Sequence, residues 1–154
     1  MTPRIDRLRR APGALLLGVL LALAGCAREE EPAKAADTLR QPGQWLLVNY
    51  WAEWCKPCLE EIPELGAFAG KHAGTARVVL VTFDGATGEA LQHHGRTRSI
   101  PPELLLDRDP AAELGLARPQ ALPSTFVIDP SGAQRTVLLG PQTVASLEAA
   151  TGSP

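Results

Sequence analysis

Two cysteines in the stretch Trp54-Cys55-Lys56-Pro57-Cys58 are the residues of this chain whose type and spacing carry chemistry most directly. On the first turn of a helix, a C-x-x-C spacing brings two side chains close enough to cycle between dithiol and disulfide. Cys55, at the helix start, has a thiolate stabilised by backbone N–H groups without helical partners and by the positive end of the helix dipole, which makes it the nucleophile. Cys58, one turn further in and flanked by Leu59 and Ile62, is expected to be more buried and to resolve the mixed disulfide. Pro57 fits a first turn, where its missing N–H costs nothing, and Lys56 adds a positive charge of small effect. Such a pair could otherwise serve as half of a zinc site or as a structural disulfide. Zinc takes four ligands, and the sequence has no second C-x-x-C or spaced Cys/His pair; a structural disulfide more often closes a longer loop.

Glu61 stands one helical turn beyond Cys58 on roughly the same face. Two readings stay open for it. As a first-turn acid it complements the helix dipole, worth about 0.3 to 1 kcal/mol. As a carboxyl partly buried beneath the cysteine pair, its pKa rises through desolvation and the nearby thiolate, and it accepts the Cys58 proton and returns it.

Regular elements must position these groups. The apolar run 45–50 predicts a buried strand, and Leu59, Ile62, Leu65, Phe68 and Ala69 recur at helical spacing through residue 71, with Glu60 and Glu64 on a more polar side. Pro63 inside that helix is expected to kink it. Residues 77–83 are β-branched and apolar, the pattern of a central strand. A second helix is expected over 85–95 with Thr87 as N-cap, and His93 and His94 near its end read as surface imidazoles because no third ligand is in view. Leu104, Leu105 and Leu106 predict a short strand, and Asp109-Pro110 an N-cap and N1 pair opening a short helix to about residue 116. Residues 125–128 and 134–139, joined by Asp129-Pro130-Ser131-Gly132, predict a β-hairpin, and 141–150 a closing helix. The expected fold class is α/β, a central mixed β-sheet flanked by helices.

The run from Leu47 through Trp54-Cys55-Lys56-Pro57-Cys58 resembles the active-site signature of the thioredoxin superfamily, and Cys58-Leu59-Glu60-Glu61-Ile62-Pro63 is similar to its TlpA/ResA-like branch of extracytoplasmic thiol-disulfide oxidoreductases. The resemblance covers roughly residues 45–150. It implies a thioredoxin fold in which residues 104–116 form the short insertion of that branch. Asn49 departs from cytosolic thioredoxins, which carry a buried aspartate there; in the TlpA/ResA-like branch Asn is frequent at this position, with a glutamate where Glu61 stands. Leu122-Pro123-Ser124-Thr125 resembles the superfamily's cis-proline loop, so Pro123 is expected cis, and Trp54, Leu122 and Pro123 are expected to contact substrate.

Residues 1–25 read as an export signal, with Arg4, Arg7, Arg9 and Arg10 before an apolar run over 14–24 that is too short to span a bilayer comfortably. Leu23-Ala24-Gly25-Cys26 resembles a bacterial lipobox, whose cleavage leaves Cys26 as the lipidated first residue; the other reading is an uncleaved anchor with an incidental cysteine. Either places the folded part outside the cytoplasm, in the bacterial periplasm, and Ala27 after the cysteine favours the outer membrane over the inner. Residues 26–39 are polar and Ala/Glu-rich and read as a flexible tether, leaving 40–154 as the thioredoxin-like domain. Without the leader, the chain's 15 basic and 17 acidic residues become 11 and 16, a net charge near −5 that argues against nucleic acid and polybasic membrane contact.

These features together predict a membrane-tethered protein disulfide reductase working through Cys55 and Cys58, with no cofactor and no metal, as a monomer. The resemblance implies oxidised extracytoplasmic proteins as substrates, apocytochrome c among them, and a membrane thiol-disulfide electron donor. Two other functions use the same residues. A DsbA-like oxidant is permitted by any C-x-x-C, although Lys-Pro is closer to the Gly-Pro of reducing thioredoxins than to Pro-His. A copper-binding or metallochaperone lipoprotein could hold soft Cu(I) on two thiolates, although copper proteins of this fold resemble C-x-x-x-C with a late histidine, and none follows His94.

Overall fold

The computed structural model describes residues 39–153. The expected export signal, Cys26 and the tether as far as residue 38 lie outside the described residues.

Strand β1 (Trp45–Trp51) lies inside a sheet of order β2-β1-β3-β4. Because successive strand residues face opposite ways, Leu47 and Trp51 enter one core layer while Leu46, Val48 and Tyr50 enter the other. Asn49, fully buried, shares the face of Leu47 and Trp51. β2 (Ala76–Thr82) runs parallel to β1 in the register Trp45↔Ala76 to Trp51↔Thr82, and β3 (Ser124–Ile128) runs antiparallel from Leu46↔Ile128 to Tyr50↔Ser124. β4 (Gln134–Leu139) completes the hairpin, with an irregularity in register between Val127 and Ile128. This topology gathers the ends of β1, β2 and β4 and the start of β3 at one edge of the sheet. The cysteine pair sits at that edge.

Helix α1 (Lys56–Lys71) covers the Leu47 face, burying Ile62, Leu65 and Phe68 against Val78, Leu80 and Leu147. It continues through Pro63 as one helix. Helix α2 (Gly88–Thr97) begins three residues later than expected. Gly85 adopts φ +73°, a left-handed turn that favours glycine, and the first helical N–H, that of Gly88, donates to Asp107 Oδ1 at 2.7 Å. Thr87 occupies the N-cap position without a side-chain capping bond.

The expected strand at Leu104–Leu106 does not form. Pro102–Leu104 is a 3₁₀ turn, in which the N–H groups of Leu104 and Leu105 go back to the carbonyls of Pro101 and Pro102, leaving one isolated parallel bridge between Leu105 and Leu80. Helix α3 (Ala111–Leu114) is also shorter than expected, capped by Pro110 and closed by Gly115 at φ +66°. Asp109 is one place too early to be the N-cap, but its Oδ1 still accepts from the Ala111 N–H at 2.9 Å. Helix α4 (Val144–Thr151) starts later than expected as well, because the segment before it is fastened to α1. The N–H of Gln142 donates to Glu61 Oε2 and that of Val144 to Glu64 Oε2, both at 2.8 Å, and a reciprocal Thr143/Ser146 capping box opens the helix. Glu64, expected on the polar side, therefore ties two helices together.

Candidate active site

β1 ends at Trp51, the chain turns through Ala52, Glu53 and Trp54, and Cys55 becomes the N-cap of α1 with extended backbone angles φ −87° and ψ 93°. In that position its Sγ accepts the Cys58 N–H at 3.3 Å, one of the first-turn donors that has no helical acceptor. Pro57, in the same turn, removes another such donor. Cys55 and Cys58 form a disulfide with Cα atoms 5.3 Å apart. Cys55 is 5 % exposed and Cys58 0 %, so the sulfur that solvent and a partner can reach belongs to Cys55.

Cys55 also lines a groove of about 440 Å³ together with Trp54, Lys56, Pro57, Phe83, Gln120, Ala121 and Leu122, whereas Cys58 does not reach it. Trp54 is 68 % exposed on its rim and donates Nε1–H to Asp84 Oδ2 at 2.8 Å. Lys56 points to solvent beside Glu60 at 3.6 Å. The Leu122–Pro123 peptide is cis, and Pro123 is buried behind Leu122 with its carbonyl accepting from the Gly140 N–H. Among the described residues no backbone hydrogen bond occupies the N–H or the carbonyl of Leu122.

Glu61 is 1 % exposed. Its Oε1 accepts from Asn49 Nδ2 at 2.7 Å and its Oε2 from the Gln142 N–H at 2.8 Å. Asn49 Nδ2 also donates to Thr125 Oγ1 at 2.9 Å, across the β1–β3 register that pairs the two residues. Burial pushes the carboxyl above the ordinary glutamate value, while the backbone bond from Gln142 and then the side-chain bond from Asn49 pull it back. A carboxyl held between two donors in the core is not placed as a solvated first-turn acid. It is a buried carboxyl, one helical turn beyond Cys58 along α1.

The histidine pair lies elsewhere. His94 Nδ1 is 2.8 Å from Glu53 Oε2, whose other oxygen is 3.3 Å from Arg98 Nη2, and His93 stays exposed. Among the described residues no group of three or more His, Cys, Asp or Glu side chains is arranged to hold a metal ion. The sequence reading missed Phe83, Gln120 and Ala121 in the groove and Thr125 and Gln142 around Glu61. Phe83 could have been found, because a parallel partner of β1 must end beside the turn that carries Trp54 and Cys55.

A model of the AhpC/TSA family matches residues 24–136. The chain belongs to the AhpC/TSA family. Among curated members of similar sequence, a thiol:disulfide interchange protein DsbE homolog of Paracoccus denitrificans is 38 % identical over 100 residues, covering 62 % of this chain and 50 % of that protein. The thiol-disulfide oxidoreductase ResA of Bacillus subtilis is 28 % identical over 116 residues, covering 75 % and 64 %. The chain therefore matches between half and two-thirds of the length of these AhpC/TSA-related proteins. The crystal structure of StoA from Bacillus subtilis superposes with a TM-score of 0.58 at 18 % identity, over 71 % of this chain and 84 % of that one. The thioredoxin fold and the TlpA/ResA-like relationship read from the cysteine motif are borne out.

Proposed function

We propose that this chain is an extracytoplasmic, membrane-tethered thiol-disulfide oxidoreductase that reduces protein disulfides. The observation that carries the reading is the placement of Cys55 at the N-cap of α1, open to a groove, with Cys58 sealed behind it and Glu61 buried one turn further on. The Cys55 thiolate attacks a substrate disulfide, forming a mixed disulfide and expelling one substrate thiolate. The Cys58 thiolate then attacks Cys55 Sγ, which closes the Cys55–Cys58 bond and releases the second substrate thiolate. Two electrons pass to the substrate, and Glu61 holds the proton that Cys58 gives up. Trp54 and Leu122 flank the substrate, and Pro123 shapes the loop against which its backbone pairs.

The direction rests on the Lys-Pro dipeptide, closer to the Gly-Pro of reducing thioredoxins than to the Pro-His of DsbA, and a redox titration tests it. Equilibration with glutathione and dithiothreitol buffers is expected to give a potential below about −200 mV, in the range of reducing thioredoxin-like proteins; a value near −120 mV, the range of DsbA, makes the protein an oxidant.

The tether is residues 26–38, one residue shorter than expected because Leu39 is buried in the core, behind a cleaved signal of residues 1–25, with Cys26 lipidated at the periplasmic face of a membrane, the outer one on the evidence of Ala27. Substrates are oxidised extracytoplasmic proteins, apocytochrome c among them, and the electrons come from a membrane thiol-disulfide donor. Cys26→Ala is expected to abolish lipid labelling and release the protein from membranes while leaving exchange by the purified domain intact. Exchange that depends on Cys26 contradicts the tether.

A further inference from the structure

Phe83 follows the last residue of β2 and lines the same groove as Cys55. Its main chain is fixed on both sides, since its N–H donates to the Trp51 carbonyl at 2.7 Å and its own carbonyl accepts from Arg118 Nη2. The same guanidinium lies over the Phe83 ring, its Cζ 4.6 Å from the centroid, where a cation is drawn to the ring face.

An exposed arginine loses rotamer freedom to hold one geometry, so several contacts must hold it there. Arg118 Nε is 3.8 Å from Asp109 Oδ2, and Asp109 Oδ1 in turn accepts from the Tyr50 hydroxyl at 2.6 Å. Tyr50 is fully buried in β1, and its burial, followed by its bond to Asp109, keeps the hydroxyl protonated far above its ordinary range. The path Tyr50, Asp109, Arg118, Phe83 thus runs from the centre of the sheet to the groove wall. With the guanidinium on one side of the ring, the rest of Phe83, joined by Leu122, Ala121 and Pro57, gives an apolar lining to the groove that Cys55 also lines.

We propose that Phe83 selects substrate disulfides whose cysteine is flanked by a large apolar side chain, and that Arg118 is the positioning residue that holds the ring for that contact. The proposal rests on the thiol-exchange reading above. The substrate sulfur must come to Cys55, so the residue beside it in the substrate must lie along this wall. The chemistry is the balanced exchange already given: one substrate S–S bond breaks, the Cys55–Cys58 bond forms, and the substrate gains two electrons and two protons.

The test uses reduced protein and two synthetic peptides, each closed by one intramolecular disulfide, differing only in whether phenylalanine or glycine flanks one cysteine. Second-order rate constants are read by stopped-flow tryptophan fluorescence. The parent protein is expected to favour the phenylalanine peptide by about tenfold, the scale of an apolar pocket contact. Phe83→Ala is expected to bring the ratio near one. Arg118→Gln is expected to cut it to about threefold or less, and Arg118→Lys not to restore it, because lysine lacks the planar group that stacks on the ring and bonds its carbonyl. A parent without preference, or a preference that survives Phe83→Ala, overturns the selectivity. An Arg118→Gln protein that slows both peptides equally gives arginine a structural role only and overturns its positioning role. If the parent reacts with neither peptide, it is the thiol-exchange reading itself that fails.

Discussion

Cys55→Ser is expected to lower thiol-disulfide exchange to less than about one-thousandth of the parent rate, because the attacking sulfur is gone and no other group can form the covalent intermediate. Cys58 cannot replace it. Cys58 is fully buried and outside the groove, whereas Cys55 lines the groove and accepts the first-turn N–H that stabilises a thiolate. Cys58→Ser has the opposite phenotype: attack proceeds, resolution stops, and the mixed disulfide on Cys55 accumulates. Reduction of an oxidised model peptide, followed by non-reducing gel electrophoresis, separates the two variants. Absence of the Cys55 adduct in Cys58→Ser, or an adduct on Cys58 in Cys55→Ser, would remove the division of labour between the sulfurs.

Glu61→Gln is expected to slow exchange markedly and to flatten its pH profile between pH 5 and 9, since the variant keeps the side chain's size but cannot take up the Cys58 proton. The equilibrium potential is expected to move by less than about 30 mV, equivalent to about 1.4 kcal/mol for a two-electron couple. Stability gives an independent readout of the same carboxyl. Burial holds its pKa above the ordinary glutamate value, so in the folded protein it keeps its proton to higher pH than in the unfolded chain. Across that window the folded state binds more protons, and its stability falls as pH rises from about 4.3, the unfolded value, through the folded one. The difference between parent and Glu61→Gln in urea midpoint against pH should show that slope and then level off. An unchanged rate profile together with no stability difference across the window would strike Glu61 from the mechanism.

Much of the site could be read in the sequence because its determinants are local. The C-x-x-C spacing and the i+3 placement of Glu61 lie within about two helical turns, and the apolar run that positions them comes directly before, so local backbone geometry fixes the neighbours. The hairpin was legible for the same reason, since Asp129-Pro130-Ser131-Gly132 is a turn signal between two strand-like segments. What escaped depends on partners distant in sequence. Nothing near Gln142 says that its N–H bonds a carboxylate 81 residues earlier, or that Glu64 reaches Val144, and these contacts delay the start of α4. The link from Tyr50 to Asp109 spans 59 residues and leaves no periodic trace. Leu104, Leu105 and Leu106 read as a strand because three adjacent apolar residues fit a buried strand as well as they fit a tight turn. The prolines at 101 and 102 decide for the turn.

The central claim, that Cys55 is the attacking sulfur and Cys58 the sealed one, is tested most directly by a brief iodoacetamide pulse on the fully reduced protein at neutral pH, quenched and mapped by mass spectrometry. The geometry predicts that the peptide carrying Cys55 is modified there well before Cys58, since the N-cap sulfur opens to the groove and accepts a first-turn N–H while Cys58 is fully buried. Modification of Cys58 first, or of both at the same rate, would contradict it.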